Sequence, residues 1–161
     1  MMQKKVQIIS DGSLDLSQEL TKEKDIEVVP FYVSFDSETY QKEMVEVGVR
    51  EFYQEMVDHP TVFPKTSMPS VHDYYEVFEK HAKEQLPVIC ICITRKFSGS
   101  LQSATTAKDM ILEEYPDAQI TVIDSTVNTV LQGLYVLEAC RLRDMGLEYQ
   151  HCLLYTSPSP R

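Results

Sequence analysis

Glycine is scarce in this chain of 161 residues, confined to Gly12, Gly48, Gly99, Gly133 and Gly146. That excludes a glycine-rich loop of the kind that cradles nucleotide phosphates, and no serine stands in a G-x-S-x-G elbow. Positive charge is also sparse: 15 Lys and Arg against 25 Asp and Glu leave a formal net charge of −10. Nucleic-acid binders neutralise phosphates with clustered Lys and Arg, and no such cluster exists here. Anionic membrane surfaces repel the chain for the same reason. No apolar run approaches the roughly eighteen residues of a membrane-crossing helix. After Met1 to Lys5, the segment Val6-Gln7-Ile8-Ile9-Ser10-Asp11 turns polar too soon for a signal peptide.

The residues of catalysis are thinly supplied too. His59 precedes a proline, His72 and His81 read as riding a largely solvated helix, and His151 lies in an irregular tail. None is an obvious base for a nucleophile, and no H-x-x-x-H spacing offers a metal site. Cys90-Ile91-Cys92 sits inside an apolar strand, a spacing unsuited to a zinc knuckle or a redox motif. With Cys140 and Cys152 these read as buried reduced thiols, in keeping with a cytoplasmic location. The expectation is a protein with no catalytic residues, no metal and no cofactor.

What is present is alternation of strands and helices. Lys5 to Ile9 reads as a short buried strand, broken at Asp11-Gly12-Ser13, with a brief helix over Leu16 to Lys24. Ile26 to Phe35 reads as one strand with Pro30 at an edge or bulge, and Glu38 to Gln41 as a hairpin partner. Gly48 to Asp58 places Val49, Phe52, Tyr53, Met56 and Val57 on one helical face. A polar loop, Lys65 to Pro69, leads to a helix that Ser70 and Asp73 are placed to cap. Pro87 to Ile93 is continuously apolar, as in a central parallel strand covered on both faces. A helix from Ser98-Gly99-Ser100 to about Tyr115 follows, then a strand over Gln119 to Ile123. The helix from Asn128 to Met145 is apolar nearly all round, and Gly146 closes it. This order predicts an α/β domain with a mainly parallel sheet flanked by helices. From His151 onward the periodicity is lost, so residues 1–150 are read as the domain and 151–161 as a tail foreign to it.

Three hydroxyl-rich loops stand before helices: Ser10-Asp11-Gly12-Ser13, Thr66-Ser67-Met68-Pro69-Ser70 and Ser98-Gly99-Ser100. Each is readable either as a helix cap or as an anion site at a helix N-terminus. With Val29-Pro30, Ser98 to Ala104, Ile123-Asp124-Ser125 and Gly133, their order and spacing resemble the N-terminal domain of the DegV family. That family includes the fatty-acid-binding subunits of bacterial fatty acid kinase.

The resemblance implies a non-enzymatic carrier for one long-chain fatty acid. Thr66 and Ser98 would hold the carboxylate, supported by Ser10, Asp11, Ser67, Gly99, Ser100, Asp124 and Ser125. A partner kinase subunit would phosphorylate the presented carboxylate, and the full-length protein would be a monomer, bound to neither nucleic acid nor membrane. It also implies a second domain beyond residue 150, which would cover Met68, Phe97 and the helix from Asn128 to Met145. Two other readings compete: a small-molecule phosphotransferase or hydrolase using the same anion loops, and an interaction domain in which the loops are only caps.

Overall fold

The structure, a computed structural model, describes residues 6–156. Lys5, at the start of the expected first strand, and the last five residues of the tail lie outside it. Four strands form a parallel sheet: β1 (Gln7–Asp11), β2 (Ile26–Val29), β6 (Val88–Cys92) and β7 (Ile120–Asp124), in the order β2-β1-β6-β7. Between them run α1 (Gln18–Glu23), α2 (Val49–Asp58), α3 (Val71–Lys83) and α4 (Ser100–Glu114), and after β7 come α5 (Thr129–Asp144) and α6 (Tyr149–Thr156). A second, antiparallel sheet joins β3 (Tyr32–Ser34), β4 (Gln41–Lys42) and β5 (Lys65–Ser67) in the order β4-β3-β5.

Successive strand residues point to opposite faces, so the continuous apolar run of β6 feeds two cores at once. Ile89 and Ile91 pack with Ile8, Val136, Ala139 and Cys140 under α5. Val88, Cys90 and Cys92 pack with Tyr74, Phe78, Ala104 and Ile111 under α3 and α4. The expected α/β architecture is thus present. Ser70 caps α3 as read: its Oγ accepts the Asp73 N–H, and Asp73 accepts the Ser70 N–H.

Several expectations need correction. Ile26 to Phe35 is two strands in two sheets, not one, because Pro30 has no N–H to continue a ladder. The hairpin partner lies at Gln41–Lys42, just past the expected Glu38 to Gln41, and pairs antiparallel with β3. Lys65 to Ser67, read as loop, is strand β5, paired with Tyr32 to Ser34. Short polar strands carry no periodicity of their own, so their pairing is invisible until the partner is known. His81 is buried rather than solvated, with Nε2 2.5 Å from Glu27 Oε2 on β2. Helix α6 runs across the boundary drawn at 150, burying Cys152 and Thr156. Pro158 and Pro160, which a helix does not tolerate in its interior, come later in the sequence than Thr156.

Candidate functional site

In the parallel sheet, β1 sends its connection to β2 on one side and lies beside β6 on the other. A crevice at the carboxyl ends of β1 and β6 is therefore a topological switch point, where α/β sheets bind ligands. Asp11 ends β1 there and is fully buried. Its Oδ2 accepts the Ile93 N–H at 2.9 Å and the Ser100 hydroxyl at 2.7 Å. Its Oδ1 accepts from Gln132 Nε2 at 2.8 Å and from the Ser13 hydroxyl. A buried carboxylate is tolerated only with such full pairing.

The network extends outward from Asp11. Ser10 donates to the Ile91 carbonyl at 2.8 Å, tying β1 to β6 by a side chain as well as by the ladder. Ser100 has one proton, committed to Asp11, so Tyr74 donates to Ser100 Oγ across 2.6 Å. Burial, with Cys92 and Asp11 nearby, pushes the Tyr74 phenol well above its ordinary range, so it stays a donor. Glu43 stands near the network, close enough to Asp11 to feel its charge. Its Oε1 accepts the Phe31 N–H at 2.9 Å, and burial, helped by Asp11, pushes its carboxyl up. Gly12 lies beneath it: a Cβ there would stand 1.8 Å from Glu43 Oε1, so the Glu43 carboxyl would have to move.

Of the residues singled out from sequence, Ser10, Asp11 and Ser100 meet in this network. Ser98 adjoins it: half-buried at the start of α4, its Oγ accepts the Ser100 N–H at 3.2 Å, which leaves its own proton to donate outward. Gly99 beside it lies under the Met68 thioether, 2.6 Å from where a Cβ would be. That contact joins the Ser98 loop to the segment carrying Thr66 and Ser67. Both of those residues are exposed on β5, and Thr66 faces a cleft of about 660 Å³. Leu16, Val33, Val47, Val49 and Phe52 give the cleft apolar walls, with Glu43 on its floor. Asp124 and Ser125 stay apart from the Asp11 cluster. Asp124 accepts the Thr126 N–H and faces Arg95 at 3.6 Å, while buried Ser125 donates to the Val127 carbonyl at 3.0 Å.

The antiparallel sheet that carries Thr66 is tied to the body by charge rather than apolar area. Asp73 of α3 accepts from the Tyr32 hydroxyl at 2.8 Å and meets Lys42 Nζ at 3.0 Å. Burial alone would raise the Asp73 carboxyl, but hydrogen bonds from Ser70, Tyr32 and Lys42 bring it down to about 2. Met68 and Phe97 flank the crevice and are exposed, as are Val130, Leu131 and Leu134 on the outer face of α5. The inner face of that helix is buried, through Val136, Ala139, Cys140 and Leu142.

Sequence reasoning missed Gln132, Tyr74 and Glu43. For Gln132 a signal was there, as a polar residue amid Val130-Leu131-Gln132-Gly133-Leu134. Tyr74 reads as ordinary core, and nothing local marks Glu43. Among the described residues no cluster of His, Cys, Asp and Glu could hold a metal, and no helix is long and apolar enough to cross a membrane.

Comparison with known proteins identifies the fold and the family. A stearic-acid-binding protein from Eubacterium ventriosum superposes with a TM-score of 0.89 at 45% identity, over 94% of this chain and 52% of that one. A DegV family protein from Thermus thermophilus, described as fatty-acid binding, gives 0.77 at 29% identity, with 94% and 52% covered. A DegV domain-containing protein of Clostridium acetobutylicum is 34% identical over 146 residues, 91% of this chain and 50% of the relative. The chain thus spans about half the length of the relatives it matches. The sequence profile of the family described as "Uncharacterised protein, DegV family" matches residues 5–155, and with it the chain belongs to the DegV family.

Proposed function

We propose that this protein binds one long-chain fatty acid, holds its carboxylate with Thr66 and Ser98, and presents that carboxylate to a partner kinase. The observation that carries the ligand class is the stearic-acid-binding relative at 45% identity. The geometry supports the orientation. Ser98 has a hydroxyl proton to donate, and α4, fifteen residues long, adds the positive end of its dipole beside it. The cleft below Thr66 falls within the size range of small-molecule sites and offers the acyl chain apolar walls.

Magnitudes divide the labour. Burying about fourteen methylenes contributes on the order of 11 kcal/mol gross. Each hydrogen bond to a charged carboxylate adds about 1.5–3 kcal/mol, and association opposes both by several kcal/mol. Apolar walls therefore set affinity, while the two hydroxyls select a carboxylate and aim it. Kinase action on the aimed carboxylate is a transfer that this chain's residues position but do not catalyse.

The test is to extract the purified full-length protein with organic solvent and weigh what is released. A long-chain carboxylic acid is expected. Its absence, together with no binding of added palmitate, refutes the proposal. Replacing both Thr66→Ala and Ser98→Ala should weaken palmitate binding and stop acyl-phosphate formation by the kinase while the fold survives. Unchanged acyl-phosphate production by that double variant would put the carboxylate elsewhere.

A further inference from the structure

Helix α5 is apolar along most of its length, and an amide on its inner face is out of keeping with that pattern. Gln132 is nonetheless 0% exposed. Burying an amide is unfavourable unless its polar atoms are matched, and here both ends are. Nε2 donates to Ser10 Oγ at 3.1 Å and to Asp11 Oδ1 at 2.8 Å, and Oε1 lies 2.7 Å from the Ser13 hydroxyl, whose one proton it shares with Asp11 Oδ1. The next residue seats the helix against the turn that follows β1: a Cβ on Gly133 would stand 2.4 Å from the Leu14 carbonyl oxygen. Gln132 therefore meets Asp11 from a rigidly seated position.

We infer that Gln132 is a positioning residue for the Ser98 hydroxyl, acting through Asp11 and Ser100. This rests on the reading of Ser98 as a holder of the fatty-acid carboxylate. The path is a chain of single contacts. Gln132 takes Asp11 Oδ1 and so turns Oδ2 toward the Ser100 hydroxyl and the Ile93 N–H. Ser100, held by that bond, aims its own N–H at Ser98 Oγ. The Ser98 lone pair is then occupied from within, and its proton faces outward. Without the amide, the Asp11 carboxylate loses one of its donors, and its hold on the start of α4 through Ser100 weakens. The ionisable groups around Asp11 are Glu43 from the β4 side, Tyr74 from α3, and Cys90 of β6 with Cys92 beside it.

Gln132→Glu separates positioning from packing, because it keeps the shape and replaces the donor by a carboxyl facing Asp11. Two facing carboxyls share one proton when the pH is low enough and repel when it is not. In the full-length protein, palmitate affinity is measured at pH 8 and pH 5.5 for wild type, Gln132→Glu and Ser98→Ala. The amide resonances of Ser98 and Ser100 are followed alongside. Gln132→Glu should bind on the order of tenfold more weakly than wild type at pH 8, and the ratio should close as the shared proton returns at pH 5.5. Both amide resonances should move at pH 8 and return at pH 5.5. A ratio that is the same at both pH values, or resonances that do not move, overturns the assignment. So does loss of the whole fold at pH 8 by circular dichroism, since Gln132 would then hold the domain and not the loop. Wild-type affinity in Ser98→Ala instead overturns the reading of Ser98 itself, and the resonances of Gln132→Glu still decide whether the path exists.

Discussion

Every residue of β1 and β6 is buried, whereas every residue of β5 is exposed and α2 buries none of its ten. The two regions meet at the candidate site and bring different things to it. The parallel layer contributes Asp11, Ser100 and the base under Ser98, all fixed by packing on both faces. The outer layer contributes Thr66 and the walls of the cleft. It is fastened by polar links from Asp73 of α3 to Tyr32 and Lys42, while Glu43 to Phe31 and the Phe35 and Phe52 rings, 5.2 Å apart, hold the layer within itself. Regions with little buried apolar surface open at lower free energy than the core. A site built on both can keep one half rigid while the other admits a long ligand.

The largest expected contrast is between apolar truncations in the two regions. Ile91→Ala empties a fully buried position of β6 and should cost about 2–5 kcal/mol. Val57→Ala on the exposed face of α2 should stay within about 0.5 kcal/mol. Urea midpoints of the two variants measure this, and losses of equal size would break the comparison.

Asp73→Asn tests the polar fastening. The folded carboxyl lies at about 2 against a reference of 3.8, so its contribution is present above roughly pH 4 and is lost as the pH falls through about 2. The difference is about 2 kcal/mol at neutral pH. The stability gap between wild type and Asp73→Asn should be flat above pH 5 and narrow toward pH 2. Hydrogen exchange should quicken in β3 and β5 and stay unchanged in β1 and β6. Equal quickening in both sheets would mean that Asp73 supports the whole domain.

The smallest effect concerns backbone strain beside the rigid layer. Thr126, in the loop from β7 into α5, and Thr129, the first residue of that helix, have φ of 61° and 50°, a region that β-branched residues seldom occupy. Hydrogen bonds hold that shape, from the Thr94 N–H to the Val127 carbonyl at 3.0 Å and from the Thr126 N–H to Asp124 Oδ1 at 2.8 Å. Thr126→Gly should remove the clash and stabilise by about 1 kcal/mol, read as a rise in melting temperature. No rise would show that the threonine side chain makes contacts that offset its backbone strain.

Burial explains which parts were legible beforehand. The strand at Val88–Cys92 was readable because β-branched and apolar residues in an unbroken run have few alternatives to a doubly covered strand. The cap at Ser70 and Asp73 was readable because it is a contact across one helical turn. β5 was not, since Lys65, Thr66 and Ser67 have no pattern and depend on Tyr32 to Ser34 for partners. His81 was misread because its partner Glu27 lies 54 residues away, and an i to i+4 pattern says nothing of what packs on it.

The candidate site divides along the same line. Local chemistry singled out Ser10, Asp11, Thr66, Ser98 and Ser100 as hydroxyls and an acid before helices, and the segment order identified the family. Which of them share one network was decided only when parallel pairing brought the end of β1 beside the end of β6 and α5 carried Gln132 to Asp11. Composition and periodicity act over one or two turns of chain, so they settled the element types and the layered class. Contacts across 80 to 120 residues form only on folding, and those made Asp11 a centre.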